Sequence, residues 1–253
     1  ILSKVLDEKI VIQKNNCGQK RETNLCVNTY ASQDKYILQL GISRKTKEGS
    51  PISGDTSSSL KLEDGKYLLA ISDGMGTGPK ARQSSKIAIK MLERLLSSGF
   101  DKDSSIELIN STLSSVAGED DTFATLDIAI LDLYAGNIEF IKNAACPTYI
   151  KQNGKVQIIK ALSLPAGILD NISLVVYDKD IENNDILVMC SDGIMESNEE
   201  YQNKELWVRD ILENIQTDNV QKIADIITKE AIDNGYGQIK DDMSIIVAKM
   251  IKR

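Results

Sequence analysis

Apolar and polar residues alternate in short runs along much of the chain, and this pattern is typical of half-buried β-strands. Asp64-Gly65 and Asn153-Gly154 each separate two such runs, and both dipeptides favour tight hairpin turns. The pattern predicts strands over residues 24–32 and 36–45, hairpins over 57–73 and 148–160, and strands over 122–134, 138–144, 173–178, 185–192 and 242–251. Apolar residues at helical spacing predict helices over 80–99, 103–118, 204–215 and 219–234, and the first twenty residues form a polar segment with some helical character.

The order of these elements indicates the fold class. Hairpin-linked strands pair antiparallel, so the chain is not a doubly wound parallel fold. The four helices come in two blocks, and each block can cover the outer face of one of two stacked antiparallel sheets. We therefore expect an α+β fold, a four-layer α-β-β-α sandwich. Residues 1–20 are expected to be a linker segment, and residues 21–253 one domain.

Charge and hydropathy limit the environment of the protein. The net charge of -7 and the pI near 4.9 argue against a nucleic-acid-binding face. No apolar run has the length of a membrane span, and no signal peptide is visible at the start of the sequence. Because the chain does not begin with Met, we expect a fragment of a longer protein. The domain is expected to be cytoplasmic, and an anchor elsewhere would leave it on the cytoplasmic side of a membrane.

Histidine is absent from all 253 residues, so histidine acid–base catalysis and serine–histidine triads are ruled out. The four cysteines, Cys17, Cys26, Cys146 and Cys190, form no C-x-x-C pair, so the sequence does not favour a zinc site. Any catalysis must therefore rely on carboxylates, lysine, arginine or a hard metal ion.

Aspartates stand where predicted strands begin or end: Asp55, Asp73, Asp192, Asp241 and Asp242. Carboxylates that meet at one rim of a sheet repel one another unless a cation neutralises them. Ligation by oxygen atoms alone favours Mg²⁺ or Mn²⁺, with Ca²⁺ as a further option. Two such ions can acidify a shared water for phosphoester hydrolysis. The alternative is that each Asp-Gly pair is an ordinary turn.

A glycine-rich loop, Gly74 to Gly78, follows the first Ser-Asp-Gly. It is not a Walker P-loop, because Pro79-Lys80-Ala81 follows the last glycine. As G-x-G-x-G before a helix it weakly resembles a nucleotide-binding turn, but no βαβ unit with a terminal acidic residue continues it. The absence of a side chain at Gly74 would also let its backbone carbonyl approach a metal ion.

Four motifs together resemble the metal-dependent PP2C-type (PPM) serine/threonine phosphatases, from about residue 20 to the C-terminus. They are SGDTSS, AISDGMGTGPKAR, MCSDGIME and GQIKDDMSIIVAKM. The resemblance implies an α-β-β-α sandwich with two Mn²⁺ or Mg²⁺ ions at one edge. It implies that Asp73 bridges the ions, that the Gly74 carbonyl binds one of them, that Asp192 and Asp241 complete the other shell, and that Asp55 binds a metal directly or through water. Asp73 and Asp192 are then the catalytic residues.

The phrase S-D-G-M-G-x-G is similar to a sporulation-regulating bacterial branch of that family. This resemblance implies hydrolysis of phosphoserine on an anti-anti-sigma factor, which releases a sporulation sigma factor. It also implies that the two helices after the glycine-rich loop act as a switch beside Asp73. The alternatives are a phosphatase of a stress-response sigma pathway and a non-catalytic phosphatase-like scaffold. Arg44, Lys45 and Lys47 are candidates to bind the phosphate, Asp242 is an alternative to Asp241, and a homodimer stays open.

Overall fold

The computed structural model describes residues 1–15, 26–62, 64–76, 78–117, 123–161, 164–168 and 175–253. The helices are α1 Leu2–Val5, α2 Pro79–Ser97, α3 Lys102–Ala117, α4 Asp192–Met195, α5 Glu205–Asn214 and α6 Val220–Asn234. The strands are β1 Ile10–Asn15, β2 Asn28–Ser32, β3 Tyr36–Lys45, β4 Thr56–Lys61, β5 Tyr67–Ser72, β6 Leu126–Asp132, β7 Asn137–Asn143, β8 Thr148–Gln152, β9 Lys155–Ile159, β10 Val175–Asp180, β11 Ile186–Cys190 and β12 Met243–Lys252.

The strands form two five-stranded antiparallel sheets and one separate hairpin. Sheet I has the order β10-β7-β6-β5-β4, and sheet II has the order β3-β12-β11-β8-β9. Strands β1 and β2 pair only with each other in the described part of the chain. Both predicted two-residue turns are present, with Gly65 and Gly154 at positive φ, where glycine carries no steric penalty.

Three apolar clusters define four layers. Leu69, Phe140 and Met189 belong to the cluster between the two sheets. On the outer face of sheet I, side chains such as Leu68 and Ile128 pack against Leu92 of α2 and Ile109 of α3. On the outer face of sheet II, a third cluster joins the strands to α5 and α6 and includes the buried Trp207. The expected α-β-β-α sandwich is confirmed.

The predicted helices and most predicted strands are present within a few residues of their expected bounds. The N-terminal segment differs, because a short helix, α1, is followed by a strand, β1. Most of β1 is exposed, so its sequence lacks the apolar alternation that marks a strand packed on a core. The expected boundary between residues 20 and 21, Cys17, and the first two residues of the strand predicted over 173–178 lie outside the described residues.

Over the described residues, none of the helices combines the length and the apolar character that a membrane span requires.

Candidate metal centre

The pairing of β4 with β5 brings the first two predicted ligands to the same end of sheet I. Thr56, the first residue of β4, pairs with Ser72, the last residue of β5. Asp55 and Asp73 are the next residues outward on the two strands, so the register places them side by side. The Asp73 N–H donates to Thr125 Oγ1 at 2.9 Å, and the Asp73 carbonyl accepts from Thr125 N–H at 2.9 Å. Two backbone contacts therefore fix the position of Asp73.

The second pair of ligands stands at the corresponding end of sheet II. Strand β11 ends at Cys190, which pairs with Ile245 of β12. Beyond this pair, Ser191 N–H donates to the Ser244 carbonyl at 2.9 Å, and Ser244 N–H donates to Ser191 Oγ at 2.9 Å. Asp192 follows Ser191 directly, and Asp241 precedes β12 by two residues. The ends of four strands from both sheets thus supply the acidic side chains of one sandwich edge.

The pKa shifts show that these carboxylates are partly buried and close enough to repel one another. Burial first, and then the charges of Asp192, Asp55 and Asp241, raise the pKa of Asp73 to about 9. Burial raises the pKa of Asp55 to about 7, with Asp192 and Asp242 adding to the rise and the Ser191 and Ser244 hydroxyls opposing it. Burial and Asp241 raise the pKa of Asp192 to about 6. A cation at this edge would relieve the repulsion.

Asp55 supplies the most direct test of whether the residues fit a metal. Its side chain is buried, and neither carboxylate oxygen has a donor in good hydrogen-bond geometry, although the Ser191 and Ser244 hydroxyls are near enough to lower its pKa. Buried carboxylates normally have partners, so this pair of oxygens fits a hard cation such as Mg²⁺ or Mn²⁺. Among the described side chains, however, no three acidic, histidine or cysteine groups are arranged to hold one ion. The carboxylates are therefore gathered at the edge without forming a closed cage.

Asp241 and Asp242, which the sequence left as alternatives, have different environments. Asp242 is buried, and its two oxygens accept from Lys47 N–H at 2.8 Å and Gly54 N–H at 2.7 Å. Asp241 is half-buried, accepts from Asp242 N–H at 2.9 Å, and raises the pKa of both Asp73 and Asp192. Asp242 thus holds the loop before β4, and Asp241 is the better candidate to bind a metal.

Gly74 lacks a side chain for a reason that the sequence did not reveal. A Cβ built on Gly74 would collide with the backbone carbonyl of Ala81, in the first turn of α2. Only glycine permits this close approach of the loop to the helix. The bridge between Gly74 and Ala124 uses the Asp73 carbonyl and the Met75 N–H, so it does not occupy the Gly74 carbonyl.

A cleft of about 260 Å³ opens between the two sheets at this edge, and Asp73, Asp127, Cys146, Asp192 and Glu196 are among its lining residues. A larger groove of about 750 Å³ lies beside the β1–β2 hairpin and is lined by Asp64 and Gly65. These two residues form the β4–β5 turn, at the opposite end of the strands from the carboxylate edge. We assign the functional site to the smaller cleft, because two of the predicted ligands, Asp73 and Asp192, line it.

The three basic residues proposed from the sequence lie beside this edge, because β3 pairs with β12 and places Arg44 opposite Ser244 and Lys45 opposite Met243. Arg44 and Lys45 are exposed at the end of β3, and the Arg44 guanidinium makes a long contact of 3.4 Å with the Ser57 carbonyl. Lys47 contributes its backbone N–H to Asp242. The half-buried Arg82 of α2 instead donates to the Asp55 carbonyl. Sequence reasoning missed Arg82, although it lies in the same motif as Asp73, AISDGMGTGPKAR.

Sequence reasoning also missed Thr125, Asp127 and Lys142, which are polar residues near or within the apolar strands β6 and β7. Asp127 and Lys142 form a buried ion pair. A charged residue inside an apolar strand is rare unless it is paired, so these two positions carried a signal.

Comparisons with known proteins agree with this architecture. Stage II sporulation protein E of Priestia megaterium is 36% identical over 250 residues, and that of Bacillus subtilis (strain 168) is 34% identical; both alignments cover 99% of this chain. The chain spans 42% and 30% of the length of these two relatives. A solved structure of the PP2C phosphatase domain and a regulatory-domain fragment of the Bacillus subtilis protein matches with a TM-score of 0.84 and 34% identity, and covers 99% of this chain and 72% of that one.

The fold and the acidic sandwich edge define a phosphatase domain of the PP2C type, as the resemblance of the motifs predicted. The family model of stage II sporulation protein E matches residues 63–251. The chain therefore belongs to the stage II sporulation protein E family.

Proposed function

We propose that this domain hydrolyses phosphoserine on a protein substrate and that the reaction depends on Mn²⁺ or Mg²⁺. The observation that carries the proposal is the carboxylate edge: Asp55 is buried with no donor in good hydrogen-bond geometry to either carboxylate oxygen, and the pKa of Asp73 is raised to about 9 by burial and by neighbouring carboxylates. Such an arrangement is costly in a metal-free protein and is stabilised by divalent cations. Membership of the family supports the same activity.

We assign the metal ligands as follows. Asp73 would bridge two ions, the Gly74 carbonyl would bind one, and Asp192 and Asp241 would bind the other, with Asp55 binding directly or through water. When bound, the ions would supply an acidified water as nucleophile and would offset the negative charge of the phosphoryl group. Thr125 holds the Asp73 backbone through two hydrogen bonds and so fixes the position of the bridging ligand.

Cation binding would lower the pKa values that are raised in the metal-free site, because it replaces carboxylate repulsion with attraction. Asp73 and Asp192 would then act in their ionised forms near neutral pH.

With no histidine in the chain, no imidazole is available to transfer a proton to the departing serine oxygen. Arg82 is bonded to the Asp55 carbonyl and so links the first turn of α2 to the loop that carries Asp55.

The proposed substrate is the phosphorylated form of an anti-anti-sigma factor, and its dephosphorylation would release a sporulation sigma factor. The support is that both relatives are stage II sporulation proteins by name. The substrate is a cytoplasmic protein in this scheme, so the domain would act on the cytoplasmic side. Activity on the antagonist of a stress-response pathway is the alternative substrate choice.

The test is phosphate release from a phosphoserine anti-anti-sigma factor with and without Mn²⁺. The wild type is compared with Asp73→Ala, Asp192→Asn and the control Asp64→Asn, whose aspartate lies in the distant β4–β5 turn. We expect Mn²⁺-dependent release by the wild type and the control, and at least a 100-fold loss in the other two, in the range for removal of a key electrostatic group. Equal rates in all four proteins would contradict the mechanism. Binding of the phosphoprotein without turnover would indicate a scaffold.

A further inference from the structure

A buried ion pair lies between the two sheets beside the candidate metal centre. Lys142 of β7 is fully buried, and its ammonium donates to Asp127 Oδ1 of β6 at 2.7 Å. It also donates to Thr148 Oγ1 of β8 at 2.8 Å, and Thr148 Oγ1 donates to Asp127 Oδ2 at 2.9 Å. Because β6 and β7 belong to sheet I and β8 to sheet II, this network connects the two sheets.

The same ammonium holds the loop that connects those sheets. Lys142 Nζ donates to the Cys146 carbonyl at 2.7 Å, across the loop between β7 and β8. Ala144, in this loop, has a φ of +47°, a left-handed conformation that is unfavourable for a residue with a side chain. The strained backbone persists only if its surroundings hold it, and the Lys142 contact supplies one such constraint.

This loop forms one wall of the cleft that contains Asp73 and Asp192. Ala144, Cys146 and Pro147 line the cleft, together with Asp127 itself. Asp127 is two residues beyond Thr125 on the chain, and Thr125 is the residue that holds the Asp73 backbone. The ion pair therefore connects the metal-ligand side of the cleft with its opposite wall.

Stability alone gives no strong reason for an ion pair at this position. Removing two charges from water is costly, and well-packed apolar residues of similar volume are often equally or more stabilising. A satisfied buried polar network instead specifies one arrangement of the groups around it. The ion pair would therefore serve to hold the cleft wall in one conformation.

We propose that Asp127 and Lys142 are positioning residues that fix the wall formed by residues 144–147, against which the protein segment carrying the phosphoserine is aligned. This proposal rests on the phosphatase function proposed above. The wall carries none of the assigned metal ligands, so a change in its conformation would affect a phosphoprotein, which extends along the cleft, more than a small phosphate ester.

The decisive variant is Asp127→Leu/Lys142→Met, because replacing both partners leaves no unpaired buried charge. The matched control is Asp218→Asn/Lys249→Met, which removes an ion pair of 2.7 Å that includes a nearly buried lysine of β12 outside the cleft. Hydrogen exchange measured by mass spectrometry reports on residues 143–148 without any need for activity. We expect exchange there to rise about tenfold in the first variant, as for local opening of a strained loop, and to stay unchanged in the control.

Kinetics with Mn²⁺ test the consequence. We expect kcat/KM for the phosphoprotein to fall by about 10- to 100-fold in the first variant, the scale of lost substrate alignment. The loss for p-nitrophenyl phosphate should be much smaller, and the control should match the wild type on both substrates. The single variant Lys142→Arg keeps a charged donor beside Asp127. Its kcat/KM for the phosphoprotein should therefore lie between that of the double variant and that of the wild type.

Unchanged exchange at 143–148 would overturn the proposal. So would increased exchange with an unchanged phosphoprotein kcat/KM, because the pair would then be structural only. Equal losses on both substrates would also overturn it. If the wild type itself releases no phosphate from any phosphoprotein, the proposed function fails, and the exchange measurement still decides whether the pair fixes the wall.

Discussion

Asp242 holds Gly54: its Oδ2 atom accepts the Gly54 N–H at 2.7 Å, across 188 residues of sequence. The other oxygen, Oδ1, accepts the Lys47 N–H at 2.8 Å, so one buried carboxylate fastens both ends of the loop before β4. Asp55 follows Gly54 directly. The neighbouring Asp241 instead interacts electrostatically with Asp73 and Asp192. Asp242 therefore holds the loop that leads to Asp55, and Asp241 is the better candidate to bind a metal.

Asp242→Ala is expected to destabilise the metal-free protein by about 2–4 kcal/mol, because it leaves two backbone N–H groups without partners. Asp241→Asn is expected to leave that stability nearly unchanged and to raise the Mn²⁺ concentration needed for half-maximal activity. The concentration should rise by about 10-fold or more, because mutation of residues that only support metal ligands already weakens metal affinity by about 10- to 100-fold. Urea denaturation in EDTA and Mn²⁺ titration measure the two effects. The assignment is wrong if Asp241→Asn lowers the stability of the metal-free protein and Asp242→Ala changes only the Mn²⁺ requirement.

Asp73→Asn should stabilise the metal-free protein in a pH-dependent way. The pKa of Asp73 is raised in the folded state, so its contribution to stability is fully present below its usual pKa of 3.8 and is lost as pH rises towards about 9. Asparagine carries no charge and avoids this loss. In EDTA at pH 8.5 we expect the variant to exceed the wild type by roughly 2–4 kcal/mol in unfolding free energy, and at pH 4.5 by much less.

Asp64→Asn, at an exposed turn far from the carboxylate edge, serves as the control for this comparison and should not gain stability from relief of carboxylate repulsion. Adding Mn²⁺ should reverse the order at pH 8.5, since only the wild type gains the full binding energy of the ions. A stability advantage of Asp73→Asn that is equal at both pH values would show that carboxylate repulsion is not its cause.

The sequence predicted those parts of the fold that depend on local pattern. The Asp64-Gly65 and Asn153-Gly154 turns, the amphipathic helices and the alternating strands were predicted correctly because each leaves a periodic signal over a few residues. Strand β1 was missed, since it pairs only with β2 among the described strands and its exposed residues show no core-facing alternation.

The candidate site was only partly predictable. Asp55, Asp73, Asp192 and Asp241 all lie at strand ends, and the pairing of the strands carries them to one edge. The sequence could not predict which aspartate makes which contacts. The Asp242 side chain, for example, accepts hydrogen bonds from two backbone N–H groups about 190 positions away in the sequence. The steric role of Gly74 likewise depends on where α2 packs, which no local pattern specifies.

Gly74→Ala tests the packing of the loop against α2. The added methyl group would overlap the Ala81 carbonyl, and backbone cannot move aside as a flexible side chain can. We expect a loss of about 3 kcal/mol or more, typical of overpacking, and weakened Mn²⁺ binding as Asp73 moves with its neighbour. Thermal unfolding and calorimetric titration measure these effects.

Gly76→Ala is the matched control in the same loop. Its Cβ would enter open space, although φ is +91°, so only backbone strain of about 1–2 kcal/mol is expected. A Gly74→Ala protein no less stable than the Gly76→Ala protein would show that the close contact with Ala81 does not constrain the site.

Thr125→Val tests whether Asp73 is held by the neighbouring strand. The substitution keeps the shape of the side chain but removes the oxygen that accepts the Asp73 N–H at 2.9 Å. We expect a modest loss of stability, about 1–2 kcal/mol, and a decrease of about 10-fold or more in Mn²⁺ affinity, because a ligand freed from its support binds less well. Isothermal titration calorimetry gives the affinity directly. Thr125→Ser retains the hydroxyl and should recover most of it.

Thr228→Val provides the comparison, since the hydroxyl of this buried threonine donates to the Ala224 carbonyl within α6, away from the metal centre. This variant should lose a similar amount of stability or less and bind Mn²⁺ as the wild type does. If Thr125→Val and Thr228→Val have the same affinity for Mn²⁺, the hydrogen bond to Asp73 N–H supports only the fold. A selective loss in Thr125→Val would instead show that the hydrogen bond from the Asp73 N–H to the Thr125 hydroxyl helps to set the geometry of the metal centre.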